Sequence, residues 1–340
     1  MEDFKGISSQ KIKSFYGMSV LQRIDFLNSL GFYKLPVEKR IQYLETIGVF
    51  DVDVNLDPPT IPLMPNDPEL DYLKEKPEKQ EDYNKANKWA EDFIRGIISS
   101  GALTIEKIEG IENLAALKNP SQGAIITLNH FNPLDSFSVD VAIHDAGIDK
   151  RLFKVIREGN FTNFPKGPIA DYFKYGRTLP LSQNLNTMGL FLNSIRTLLI
   201  NGNLVLVCSE QAMWDNYQKP KPLKYGAYKW ATKANVPVVP IFLGHTEKNG
   251  SASYTIFIGD LIYPQPNKPF NENTVSMRDK NFIFCRDMYE KYYGTKLTYD
   301  TDPSMFYNLR GYVRSTPGFE DMIKKDSIKS QEVTDKLEIK

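Results

Sequence analysis

The sequence predicts an α/β fold: a mixed, mainly parallel sheet flanked by helices, with an N-terminal helical cap in front of it. Three observations predict it. From about Leu103 onward, short runs rich in Val, Ile and Leu alternate with stretches whose apolar residues recur every three or four positions. Runs such as 123–128 and 204–208 are apolar almost throughout, the pattern of strands covered on both faces. The first 50 residues, by contrast, show helical spacing alone.

In that front part Ile12, Phe15, Tyr16, Val20, Leu21, Ile24 and Leu27 recur at helical steps, and a second helix is expected from Pro36 or Val37 to Ile47. Short amphipathic helices of this kind need something to pack on. Pro58, Pro59, Pro62, Pro65 and Pro68, set among Asp and Asn, then mark an extended connection over 51–71. A chain of 340 residues exceeds the usual single-core size. The organisation expected is a helical cap and Pro-rich connection over 1–70, an α/β domain over 71–300 and a C-terminal tail over 301–340.

Residues 75–92 are charge-rich with mixed sign and read as a solvated helix, which gains an apolar face at Ala90, Phe93, Ile94, Ile97 and Ile98. Strands follow at 103–108 and 123–128. Asn132 reads as an N-cap with Pro133 at the first helical position, so the second strand turns once and enters a helix that runs to Ala146 and stops at Gly147. A strand at 152–156, a Gly/Pro-containing loop, and a short strand at 178–182 come next. Met188, Phe191, Leu192, Ile195, Leu198 and Leu199 mark one face of a helix ahead of strand 204–208. A helix after Gly226, strands at 236–243 and 254–258, and a helix at 281–292 complete the pattern.

Lys+Arg and Asp+Glu both number 42, so no global attraction to nucleic acid is expected. Cys208 and Cys285 show no Cys-x-x-Cys spacing, which argues against a disulfide framework or a zinc site, and reduced thiols fit a cytoplasmic address. The acidic start lacks an apolar h-region and no run of 18 apolar residues occurs, so any membrane contact is expected to be peripheral. There is no Gly-x-Ser-x-Gly elbow, P-loop or Gly-x-Gly-x-x-Gly fingerprint. His130, His144 and His245 lack metal-ligand spacing, so no metal is expected. His144 reads as a helix-surface residue, His245 as loop, and Cys208 as a buried, inert thiol in its strand.

The segment Asn129-His130-Phe131-Asn132-Pro133-Leu134-Asp135 falls on the corner between strand 123–128 and the next helix. A histidine and a carboxylate there can act as a base and its orienting partner; Asp135 can equally serve the helix N-terminus with no chemical duty. Ligands bind outside the carboxyl ends of parallel strands, so Ser209, Glu210 and Gln211, at the end of strand 204–208, are expected to face the same site. Lys219, Lys221, Lys224, Lys229 and Lys233 are interleaved with Trp214, Tyr217, Tyr225, Tyr228 and Trp230. That stretch reads either as a surface for an anionic lipid or carrier protein, or as a solvated helix with aromatic core contacts.

Four blocks, in order, resemble the glycerolipid acyltransferase family, the glycerol-phosphate and lysophosphatidate acyltransferases. Asn129-His130 with Asp135 is similar to its NHx4D box; the turn from Tyr175-Gly176 to Pro180, after Arg157-Glu158, is similar to its second block. Leu204-Val-Leu-Val-Cys-Ser-Glu210 looks like its strand ending in Pro-Glu-Gly, and Val236-Pro-Val-Val-Pro240, preceded by Pro222-Leu-Lys-Tyr-Gly-Ala227, like its fourth block. The resemblance covers about residues 100–262. It implies that His130 removes a hydroxyl proton as the oxygen attacks a thioester carbonyl, with Asp135 holding the imidazole tautomer and no acyl-enzyme formed.

The resemblance further implies substrate-binding roles for Asn129, Arg177, Ser209, Glu210, Gln211, Lys224 and Gly226. It implies no cofactor beyond acyl-CoA or acyl-ACP as co-substrate, a glycerol phosphate or lysophospholipid acceptor, a place in phospholipid biosynthesis, and peripheral association with the cytoplasmic membrane face. The chain departs from the family at Ser209-Glu210-Gln211-Ala212-Met213, where the family has Pro-Glu-Gly-Thr-Arg. The arginine of the second block is also missing, with Ser182 near its place, so Arg177 and Lys224 are the cations expected to meet a phosphate. Acyl-thioester hydrolysis and non-catalytic lipid binding are the alternative readings.

Overall fold

The computed structural model describes residues 18–299, apart from residues 19, 30, 47, 56–59, 165, 249 and 250. Ile12, Phe15 and Tyr16 of the expected first helix, the pair Pro58 and Pro59, and the tail expected over 301–340 lie outside the described residues. Seven strands, β1 (Leu103–Glu109), β2 (Ala124–Thr127), β3 (Leu152–Arg157), β4 (Thr178–Leu181), β5 (Leu204–Val207), β6 (Val238–Lys248) and β7 (Ser251–Ile258), make one sheet. Their spatial order is β1-β7-β6-β2-β5-β3-β4. From β6 to β4 all neighbours are parallel, while β7 joins β6 antiparallel and pairs with β1 in parallel. The sheet is therefore mixed and mainly parallel, as the sequence pattern predicts.

Nine helices are described: α1 (Val20–Ser29), α2 (Val37–Thr46), α3 (Gln80–Ser99), α4 (Phe137–Asp145), α5 (Glu158–Thr162), α6 (Pro168–Tyr175), α7 (Leu185–Ile200), α8 (Gly226–Ala234) and α9 (Phe270–Tyr293). Alternate residues of each central strand enter opposite layers. Ile126, Leu204, Leu206 and Val239 pack with Ile97 of α3 and Ala142 of α4. Ile125, Val205, Val207 and Val238 pack with Phe191 and Ile195 of α7, Tyr228 of α8 and Met277 of α9. Both faces of the strand are covered, and the sequence is accordingly apolar at successive positions rather than at every second one.

Where the elements differ from the sequence expectation, the causes are local. Residues 158–175 form α5 and α6 instead of a loop, because Pro168 stands at the first turn of α6, where its missing N–H breaks no helical bond. α9 begins eleven residues before 281, and its inward stripe starts with Asn273 and Thr274, polar residues that hide the helical period. β6 runs on through His245 to Lys248 because it gains an antiparallel partner there, so His245 is a buried strand residue and not loop.

The front of the chain closes on one loop. Leu27, Phe32, Ile41, Leu44 and Val52 form a cluster with Ala212, Trp214 and Tyr217, the segment that follows Glu210. Trp214 donates its indole N–H to the Val52 carbonyl at 2.8 Å, and Lys219 pairs with Glu45 at 2.7 Å in a buried position. Trp214, Tyr217, Tyr228, Lys219 and Lys221 are buried, whereas Lys224, Tyr225, Lys229 and Lys233 are exposed, so only the first half of the aromatic and lysine-rich stretch folds inward. The described part of the Pro-rich connection runs over β3 and β4: Leu63 N–H donates to Glu158 at 3.1 Å and the Tyr72 hydroxyl to the Pro180 carbonyl at 2.8 Å.

Candidate active site

β2 lies in the middle of the sheet, between β5 and β6, and Thr127 stands in register with Val207. Three residues past each of those positions come His130 and Glu210, which the parallel register brings together. The His130 N–H donates to Glu210 Oε2 at 3.1 Å. The predicted helix start at Pro133 is corrected by the structure, since α4 begins only at Phe137. Asn132 instead folds an Asx turn, its Oδ1 accepting from Leu134 N–H at 2.9 Å.

That turn leaves the Asp135 carboxylate aimed back at the corner. Its Oδ2 accepts from the Phe131 and Asn132 backbone N–H groups at 2.9 and 3.1 Å and lies 2.8 Å from His130 Nδ1. Asp135 is fully buried, whereas the His130 ring is about a quarter exposed. A carboxylate that already accepts two amide protons takes a third from Nδ1, which leaves Nε2 as the lone pair of the neutral imidazole. Burial works against a charge on His130, but Cys208 and Asp135 outweigh it and hold its pKa well above the ordinary histidine range.

The stretch 106–244, which contains this corner and the strands around it, matches the family model for acyltransferases. Among solved structures the chain is similar to the 1-acyl-sn-glycerophosphate acyltransferase PlsC from Thermotoga maritima, at 15% identity over 66% of this chain and 86% of that one, with a TM-score of 0.44. No curated protein matches the sequence.

The corner brings together fewer of the expected residues than the motif order implies. The Asn129 side chain is buried and double-bonded to the Leu243 backbone, donating to its carbonyl at 3.1 Å and accepting from its N–H at 2.8 Å. It straps the end of β2 to β6. Glu210 is likewise engaged, by His130 and by Lys221, whose Nζ lies 2.6 Å from Oε2. Ser209 is buried and its carbonyl accepts from Lys224 N–H at 2.7 Å. Gln211 is exposed and holds φ at 72°, a conformation that favours glycine, so the extra side chain stands where a glycine would relax the turn.

Of the two cations expected to hold phosphate, Arg177 lies away from the corner and Lys224 lies beside Ser209 with its ammonium group turned to the front segment. Arg177 stands just before β4, level with the middle of β2 through the register Thr178–Lys154–Leu206–Ile126, several residues short of His130. Its charged neighbours are Arg151, Glu91 and Asp140 rather than the groups at the corner. Lys224 is ion-paired at 2.8 Å with Asp51 of the front segment, which also binds Arg23. Gly226 opens α8, and a Cβ there would meet only ordinary contacts with Trp230.

Three groups at the site escaped the sequence reading. Cys208 lies one residue past β5 and is only partly buried; its sulfur and the ligand atoms of His130 and Asp135 all fall within 4.8 Å of one another. A thiol, an imidazole and a carboxylate form a donor set able to hold a zinc-type ion, a juxtaposition made by strand register and invisible in spacing. His245 stacks on Phe131 at 3.8 Å between ring centroids, and burial lowers its pKa to about 4, so it stays neutral. Lys221 is the third: it is buried and donates to the His130 carbonyl at 3.1 Å. Its only sequence signal was membership of the lysine-rich stretch.

Proposed function

We propose that the protein transfers a fatty acyl group from a thioester donor, acyl-CoA or acyl-ACP, to a hydroxyl of a glycerol phosphate or lysophospholipid, as in phospholipid biosynthesis. The observation that carries the reading is the 2.8 Å contact between His130 Nδ1 and buried Asp135, at the end of a central strand inside the stretch that matches the acyltransferase family model. Neutral Nε2 removes the acceptor's proton as its oxygen attacks the thioester carbonyl; the thiolate then leaves and takes up that proton from the imidazolium. Asp135 keeps the proton on Nδ1 and stabilises the imidazolium while it lasts. The lipid acceptor sets the work at a membrane surface, with the protein bound peripherally at the cytoplasmic face; among the described residues no helix is long and apolar enough to cross a membrane.

A donor-by-acceptor panel with the full chain tests this, reading thiol release and acylated product together. The expected result is thiol release that requires a glycerol phosphate or lysophospholipid acceptor. Release at an equal rate without any acceptor identifies a thioester hydrolase, and stoichiometric lipid uptake without release identifies a binding protein.

A further inference from the structure

The buried pair beneath the corner has no evident reason to exist as a source of stability. Removing two charges from water costs several kcal/mol for each ion, and a buried salt bridge generally returns little more than it costs. Lys221 and Glu210 are each only 1% exposed at the side chain and lie 2.6 Å apart. Their remaining bonds converge on one residue. Glu210 Oε2 accepts from the His130 N–H at 3.1 Å, and Lys221 Nζ donates to the His130 carbonyl at 3.1 Å. Glu210 Oε1 also accepts from the Lys221 backbone N–H at 2.9 Å, which fixes the two side chains to one another's loops.

We infer that Lys221 and Glu210 form a brace that grips both peptide groups of His130 and sets its imidazole against Asp135, so that Lys221 is a positioning residue for acyl transfer and Glu210 is not an acceptor ligand. The inference rests on the proposed role of His130 as base. A histidine at a tight corner is held by its own side-chain contact and by its two flanking peptides; here one buried anion and one buried cation hold those peptides. The brace is in turn shielded by the front of the chain. Lys221 Nζ lies 5.5 Å from the Trp214 ring and 5.6 Å from that of Tyr217, the two aromatics on which the N-terminal cluster closes. A displacement of about 1 Å in a reacting group is enough to lower a rate by about 100-fold.

The test compares full-length variants by kinetics and by NMR titration of the histidine rings. Lys221→Met alone strands a buried carboxylate and is expected to misfold. The paired variant Glu210→Leu/Lys221→Met removes both charges and keeps the chain folded. We expect its turnover to fall about 100-fold, with the Michaelis constants of donor and acceptor nearly unchanged and the His130 ring titrating closer to the ordinary value. Lys221→Arg, which keeps the ion pair, should recover most of the lost turnover. Wild-type turnover and an unmoved His130 titration in the folded paired variant would overturn the brace, as would an unchanged turnover with a raised acceptor Michaelis constant. His130→Ala run beside it separates the two ideas: an inactive His130→Ala with a fully active paired variant removes the brace alone, while an active His130→Ala removes the base mechanism itself.

Discussion

At the scale of single residues the proposed chemistry depends on the protonation of His130. Its pKa is raised because Cys208 and Asp135 outweigh burial, so the neutral, basic form is lost as pH falls through a value above 6.5. Turnover should therefore decline on the acid side with a midpoint above that of an ordinary histidine. The sign for stability is opposite: a raised folded-state pKa stabilises the fold below the unfolded value of about 6.5, and that contribution disappears as pH rises through the folded value. Asp135→Asn removes one of the acidic neighbours and should shift the acid limb to lower pH while reducing the plateau. A pH–rate profile of the two proteins measures both effects, and an unmoved limb would mean that Asp135 does not control the ring. His130 and Asp135 were legible in the sequence because both lie on one corner only five residues apart. Cys208 and Lys221 were not, since each reaches His130 across about 80 to 90 residues of chain.

At the scale of elements the corner depends on how the ends of β2, β5 and β6 are tied together. The Asn129 side chain bonds both polar groups of the Leu243 backbone, so it holds β2 and β6 in register just before His130. Asn129→Ala leaves a buried N–H and C=O unpaired and should destabilise the protein by ~1–3 kcal/mol for each unsatisfied group. Chemical denaturation measures the loss, and a change below ~0.5 kcal/mol would show that the strap carries little. The central strands and most flanking helices were legible because apolar period and turn residues agreed over whole elements. α4 was placed four residues early because Asn132 and Pro133 imitate a helix start, whereas Asn132 in fact closes an Asx turn that aims Asp135 at His130. The first half of α9 was missed for the converse reason, its buried stripe being built from Asn273 and Thr274.

At the scale of the whole molecule the front segment and the α/β domain meet on the loop that carries Lys221. Trp214, Tyr217 and Lys219 are covered by residues from 27–54, and Lys224 is tied to Asp51. A chain lacking residues 1–70 should expose that aromatic surface, aggregate or lose turnover; a monodisperse, fully active truncation in size-exclusion chromatography and the transfer assay would show the front to be dispensable. The sequence read all five lysines of the stretch as outward-facing, which holds for Lys224, Lys229 and Lys233 but not for Lys219 and Lys221, because composition does not say which lysines find buried carboxylates such as Glu45 and Glu210. The site seen whole, a histidine and its carboxylate partner at the end of a central strand, leads to one measurement. Acceptor-dependent transfer from an acyl thioester should be detectable for the wild-type chain, and in a folded His130→Ala protein it should fall by ~10²–10⁴-fold, the usual contribution of general-base catalysis. Near-wild-type transfer by that variant would contradict the account.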